Sequence, residues 1–145
     1  MPEGIWSDSP VEVVWEGGKR YRGGRADGPT HLVDGDRGAG PSPVEGMLVA
    51  LGACSAIDVV EILEKRRTPA EALSVQLHFA RAAIPPRRLT AARLVYRVTS
   101  SSELHHVERA VKLSLEKYCS VATSLAPDTT LDWGVELTPI AQAAS

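Results

Sequence analysis

Cysteine is scarce in this sequence: its 145 residues include only Cys54 and Cys119, 65 positions apart. The opening MPEGIWSDSP is acidic and carries two prolines. That is not a secretory signal, so a cytoplasmic protein is expected. In that compartment a structural disulfide is disfavoured. The spacings CxxC, HxxxH and HExxH are missing, and His31, His78, His105 and His106 show no ligand pattern. No metal and no other cofactor is therefore expected. Charge of one sign is lacking as well. The 16 basic and 18 acidic side chains leave a net charge of −2, which excludes the electrostatic footprint of a nucleic-acid binder. The longest apolar run, Gly46 to Ile57, stops at Asp58 and is too short to span a bilayer. Repeats, low-complexity tracts and breaks in composition are absent too. A single domain over 1–145 is expected, long enough to bury roughly 70% of its unfolded surface. What is there is ordinary globular composition, 43% hydrophobic and 23% charged, which argues against disorder.

The first third reads as short strands punctuated by glycine. Val11, Val13 and Trp15 alternate with Glu12, Val14 and Glu16, the period of a half-buried strand. Gly17-Gly18 marks a turn, with Lys19 to Arg22 returning as a hairpin. His31 to Asp34 is a weak third strand, and Gly35 to Pro41 a loop carrying Arg37. Ser42-Pro43-Val44-Glu45 then announces a helix, with serine at the cap, proline at the first helical position and glutamate at the third. This helix is expected to run to about Arg67, ahead of Pro69. From Met47 to Val60 it is apolar or small on nearly every face, so it needs cover on all sides. A homodimer that buries two such helices between two sheets supplies that cover.

Leu73 to Phe79 and Leu94 to Val98 alternate cleanly around the break at Pro85-Pro86 and predict an antiparallel pair. Ser101 or Ser102 is placed to cap a second helix, whose apolar stripe is Leu104, Val107, Val111, Leu115 and Tyr118. Cys119 falls at or just past its end. Leu131 to Leu137 is the final strand, and Ala141 to Ser145 a frayed tail. This order predicts an α+β fold with mainly antiparallel sheet.

Cys54 lies among small neighbours, Gly52, Ala53, Ser55 and Ala56. It is either a core cysteine acting as a small hydrophobe or a thiol with room for a substrate. Asp58 is four residues on, on the same helix face, and reads as a buried, paired carboxylate that fixes packing. A carboxylate beside a thiol disfavours the thiolate, so activation of Cys54 calls for a cation. Arg37 is the candidate, unless it is a solvated loop residue, and Arg22 and Arg25 are alternatives. Glu45 is the acidic member of the capping box or a carboxylate that orients an arginine.

Two segments carry a resemblance. Gly40-Pro41-Ser42-Pro43-Val44-Glu45, leading into Gly52-Ala53-Cys54-Ser55-Ala56-Ile57-Asp58-Val59-Val60, resembles the cysteine helix of the OsmC/Ohr family. Glu116-Lys117-Tyr118-Cys119-Ser120-Val121-Ala122 resembles that family's second cysteine segment, and the likeness is greatest to its YhfA-like branch. The resemblance implies an OsmC-like fold, with mainly antiparallel sheets wrapped around long central helices in an intertwined homodimer. It implies a thiol-dependent peroxidase for organic hydroperoxides in antioxidant and stress defence. Cys54 would be the peroxidatic thiol and Cys119 the resolving thiol, with Arg37 and Glu45 as the catalytic shell. A dithiol, often a lipoyl group on a partner protein, would reduce the resulting disulfide. The pattern departs at the arginine, at Asp58 and at the carboxylate. No clear motif matches the family's arginine, and Arg37 lies nearer the cysteine than expected. Asp58 is outside the peroxidase pattern. The family's carboxylate directly follows a proline ten residues before the first cysteine, where this chain has Val44; Glu45 is nine residues before. One residue on a helix is a rotation of about 100°. Disulfide exchange or sulfur transfer, and non-enzymatic binding of an apolar ligand, are the alternatives on the same scaffold.

Overall fold

The computed structural model describes residues 3–141, so all but the first residue of the expected tail lies outside the described residues. The chain forms two compact units, one up to Met47 and one from Leu48.

In the first unit, β1 (Val11–Trp15), β2 (Arg20–Arg25) and β3 (Thr30–Asp34) make an antiparallel meander in the order β1-β2-β3. The hairpin closes at Trp15↔Tyr21. Its turn requires positive φ at Gly17 (101°) and Gly18 (57°), a region glycine enters without steric cost. β1 departs from the half-buried strand expected of its alternation: all five of its residues are exposed. Its apolar positions Val11 and Val13 keep 73% and 67% of their surface open.

Helix α1 (Pro43–Lys65) starts where the capping signal places it. The Ser42 backbone N–H donates to Glu45 Oε1 at 2.9 Å, and the Glu45 N–H donates to Ser42 Oγ at 3.1 Å. These reciprocal bonds satisfy two amides that the first helical turn leaves free. The helix ends two residues short of Arg67. Thr68 N–H donates to Leu63 O and Arg67 N–H to Glu64 O, both at 3.0 Å, with Arg67 at φ +63°. That is a Schellman stop with arginine in the place glycine usually takes. By length and composition α1 is long and apolar enough to cross a membrane, which corrects the expectation from the shorter apolar run. One stripe of it (Leu48, Leu51, Gly52, Ser55, Val59 and Leu63) is instead buried in the protein.

In the second unit, β4 (Ala70–Arg81) and β5 (Leu89–Ser100) pair antiparallel as expected, with Leu73↔Val98 and Leu77↔Leu94 in register. The last strand, β6 (Thr130–Pro139), lies beside β5 in parallel, giving the order β4-β5-β6. A parallel neighbour needs a crossover. Here α2 (Leu104–Leu113), a π-turn (Ser114–Tyr118) and the short α3 (Ser120–Thr123) supply it. β5 is the core strand, burying Ala92, Leu94, Tyr96 and Val98. On its outer face Arg93 and Arg97 pair with Asp132 and Glu136, their register partners on β6. The fold is thus α+β, with two three-stranded sheets and three helices among the described residues.

The second helix departs from expectation at both ends. Neither serine caps it: the cap position is Glu103, with no side-chain bond. Ser102 instead donates its N–H to Ser100 Oγ at 3.0 Å. At the other end Tyr118, assigned to the apolar stripe, is 58% exposed, while Cys119 is fully buried.

Candidate functional site

Cys54 lies midway along α1 and is half-buried, while Cys119 is sealed from solvent. Both are free thiols, and the turn that carries Cys119 meets α1 beside Cys54, with Ser114 Oγ 3.1 Å from Ser55 O. Gly52 lets β4 close on this part of α1, since a Cβ there would meet Leu77 Cδ1 at 3.0 Å. Cys119 is held at a junction. Its N–H donates to Ser114 O at 2.7 Å, closing the π-turn. Its sulfur accepts from Ala122 N–H at 3.4 Å, capping α3. Burial pushes the Cys119 thiol up; the Ala122 N–H pulls it down, and the Cys54 sulfur adds to the upward push. Cys119 is thereby kept as a neutral, hidden thiol, and Cys54 is the member of the pair that solvent reaches.

Ser55, Tyr96 and Ser114, which sequence reasoning did not assign, form hydrogen bonds along the turns of α1 that flank Cys54. Ser55 Oγ donates to Gly52 O at 3.1 Å and lies 2.7 Å from Tyr96 Oη. A serine hydroxyl has one proton, so the Tyr96 hydroxyl is the donor between them. Burial, the largest cause, pushes the Tyr96 phenol up to about 12; the Ser55 hydrogen bond opposes this, and Cys119 and Asp58 add to it. Tyr96 therefore remains a phenol donor. Asp58 is paired, as expected, but half-buried rather than buried. Its partner is Ser114 Oγ, which donates to Asp58 Oδ2 at 2.6 Å and lies 3.1 Å from Ser55 O. Ser114 had a visible signal, as a polar residue inside an otherwise apolar helical stripe.

The other two expected residues meet in the first unit. Asp34, 5% exposed, gathers the Gly35–Pro41 loop: its carboxylate accepts N–H bonds from Asp36 and Ala39 at 2.9 Å and from Gly38 at 3.2 Å. Those amides, Ala39 and Asp36 first, hold the Asp34 carboxyl below its usual range. Arg37 rides on this loop at φ +59° with a mostly exposed side chain. Its Nη1 lies 4.0 Å from Glu45 Oε2. Glu45 thus caps α1 with one oxygen and faces Arg37 with the other, so its two expected roles coexist. The Ser42 backbone and hydroxyl, then Arg37, hold the Glu45 carboxyl below its usual range, against a smaller effect of burial. Each of the two pairs, Cys54 with Cys119 and Arg37 with Glu45, lies within one unit.

The sequence shows no histidine ligand spacing, yet Glu103, His105 and His106 place ligand atoms within 4.8 Å of one another. Burial first, then the Arg66 charge, push the His106 imidazole down. The same positive neighbour opposes a bound cation.

The fold and the cysteine pair place the chain in a class. The OsmC-like protein family model matches residues 34–134, and the chain belongs to that family. It is 44% identical to Protein YhfA of Escherichia coli strain K12 over 117 residues, covering 79% of this chain and 87% of that one. A hypothetical protein from Aquifex aeolicus VF5 superposes with a TM-score of 0.79 at 29% identity, over 92% of this chain and 99% of that one. The organic hydroperoxide resistance protein OhrB of Bacillus subtilis shares the fold, with a TM-score of 0.57 at 13% identity over 91% and 98% of the two chains.

Proposed function

We propose that this protein is a cytoplasmic thiol peroxidase that reduces organic hydroperoxides, with Cys54 attacking and Cys119 resolving. The observation that carries this reading is a solvent-reachable Cys54 beside the turn that hides Cys119, the two segments tied by Ser114 Oγ, 3.1 Å from Ser55 O and 2.6 Å from Asp58 Oδ2. The Cys54 thiolate attacks the distal peroxide oxygen, and the O–O bond breaks. Cys54 becomes a sulfenic acid, and the alkoxide takes a proton to leave as an alcohol. The Cys119 sulfur then attacks the sulfenic sulfur, forming the disulfide and releasing water. A dithiol, for which a lipoyl group is the assigned class, reduces the disulfide by exchange and leaves as its own cyclic disulfide. Membership of the OsmC-like family and the name of the Bacillus subtilis neighbour support the reading. Arg37, which faces Glu45 at 4.0 Å, is assigned a supporting role in catalysis.

We assign the working form as a homodimer of this single-domain chain. Apolar surface supports it: Val49 and Ile57 on α1 are 61% and 58% exposed. An apolar groove of ≈ 620 Å³ also runs along Val11, Val13, Tyr21 and Val33 to Pro43. Open apolar surface of this kind marks an interaction site.

The test is intact mass before and after an equimolar dose of cumene hydroperoxide, with hydrogen peroxide in parallel. The expected result is loss of two hydrogens, mapped to a Cys54–Cys119 bond and faster with the organic peroxide. No change with either oxidant would remove the peroxidase reading. Exchange with a small disulfide in that case would leave thiol transfer in its place.

A further inference from the structure

We propose that Asp58 and Ser114 are positioning residues for the thiol pair: their hydrogen bond holds Cys119 against Cys54 and sets the stability of the disulfide the two form. This rests on the reading that the pair is redox-active.

The argument begins with helical spacing. The apolar stripe of α2 continues at intervals of three and four through Val107, Ala110, Val111, Ser114 and Leu115. Continued as an α-helix, the residue four beyond Ser114 is Tyr118, and it would face inward. The chain instead makes one π-turn, in which Cys119 N–H reaches back five residues to Ser114 O. The extra residue carries the inward position forward by one. Tyr118 turns out to solvent and Cys119 turns in.

A π-turn is less favourable than an α-turn and recurs at functional sites. Ser114 is where this one is anchored. Its carbonyl holds Cys119, and its hydroxyl reaches Asp58 Oδ2 at 2.6 Å, a short charge-assisted bond at a fully buried serine. Asp58 is one helical turn from Cys54 on α1. Ser114 therefore ties the π-turn to the Cys54 region of α1, its hydroxyl lying 2.6 Å from Asp58 Oδ2 and 3.1 Å from the carbonyl of Ser55, the residue after Cys54. A shift of the π-turn along or away from α1 that parts these contacts carries Cys119 with it. The serine hydroxyl thus raises the effective concentration of one thiol at the other without touching substrate.

The experiment equilibrates the protein with the reduced and oxidised dithiothreitol couple and reads the Cys54–Cys119 disulfide fraction by acid-quenched mass spectrometry. Two thiol S–H bonds break and one S–S bond forms. The two electrons and two protons pass to the dithiothreitol disulfide. Ser114→Ala is expected to lower the equilibrium constant for the protein disulfide about tenfold, the size of one charge-assisted hydrogen bond. For a two-electron couple that is a potential about 30 mV less negative. Asp58→Asn, which keeps an oxygen acceptor but removes its charge, is expected to shift it in the same direction by less, and the double variant no further than Ser114→Ala, because both act on one interaction. Glu61→Gln, an exposed change on the same helix, is expected to leave it unmoved. Wild-type potentials in both Ser114→Ala and Asp58→Asn would overturn the proposal while the redox reading stands. A wild-type protein that forms no Cys54–Cys119 disulfide would overturn both. Should Ser114→Ala fail to fold, Asp58→Ala, which removes the acceptor at a half-buried position, decides the matter alone.

Discussion

The hydroxyls of Ser55 and Tyr96 lie 2.7 Å apart, both fully buried, one on α1 directly after Cys54 and the other on the core strand β5. They join helix to sheet at the level of the thiol pair. Ser55→Ala leaves the Tyr96 hydroxyl buried without its acceptor, which costs about 1–3 kcal/mol. Tyr96→Phe removes the donor and keeps the Ser55 bond to Gly52 O, costing about 1 kcal/mol. Urea unfolding of the two variants checks the order, and a larger loss in Tyr96→Phe would contradict it.

The same phenol predicts a pH dependence. Its folded pKa, pushed up to about 12 from the ordinary phenol value of 10.0, favours the neutral form in the native state. The stability it contributes is fully present below the unfolded value and is lost as pH rises between about 10 and 12. A shift of that size corresponds to roughly 2–3 kcal/mol. The difference in unfolding free energy between wild type and Tyr96→Phe should therefore change across that window. Parallel curves would contradict the assignment.

Cys54 and Cys119 should differ in native labelling. With iodoacetamide at neutral pH, Cys54 is expected to alkylate and Cys119 to remain free until the chain is unfolded, because burial keeps Cys119 a protonated, inaccessible thiol. Cys119→Ser should then permit one peroxide turnover and accumulate a dimedone-trappable sulfenic acid on Cys54. Cys54→Ser should abolish turnover. Normal multiple turnovers in Cys119→Ser would remove its resolving role.

Arg37 and Ser42 separate catalysis from helix capping at Glu45. Ser42→Ala removes the hydroxyl that accepts the Glu45 N–H and is expected to cost about 1 kcal/mol of stability. Arg37 is largely exposed, and its pair with Glu45 is long. Arg37→Ala should therefore leave the melting midpoint essentially unchanged while slowing the reaction with cumene hydroperoxide. An unchanged rate would move the supporting role elsewhere.

Val49→Asp tests the dimer. On the surface of a monomer this exposed position would tolerate the change within about 0.5 kcal/mol. In a dimer that buries α1 it places an unpaired charge in an apolar seam. Sedimentation equilibrium is expected to show a wild-type dimer and a dissociated variant; a wild-type monomer would contradict the assignment.

The sequence by itself determined what local chemistry determines. Alternation fixed the existence of the strands. The serine, proline and glutamate before the apolar run fixed the start of α1 to the residue, because capping bonds span only a few positions. The two cysteines and their flanking residues pointed to the family. The tertiary structure decided what depends on distant partners. β6 lies parallel to β5 because the crossover carries it there. Ser102 is drawn from its expected capping role to Ser100, and Ser114 is anchored by Asp58, 56 positions away. That anchorage accompanies the π-turn that exchanges Tyr118 for Cys119 on the inward face. A one-residue change of helical phase leaves hydrophobic periodicity almost untouched, so no pattern in the sequence shows it. Its consequence is a hidden Cys119, the thiol to which the proposed chemistry gives the resolving step.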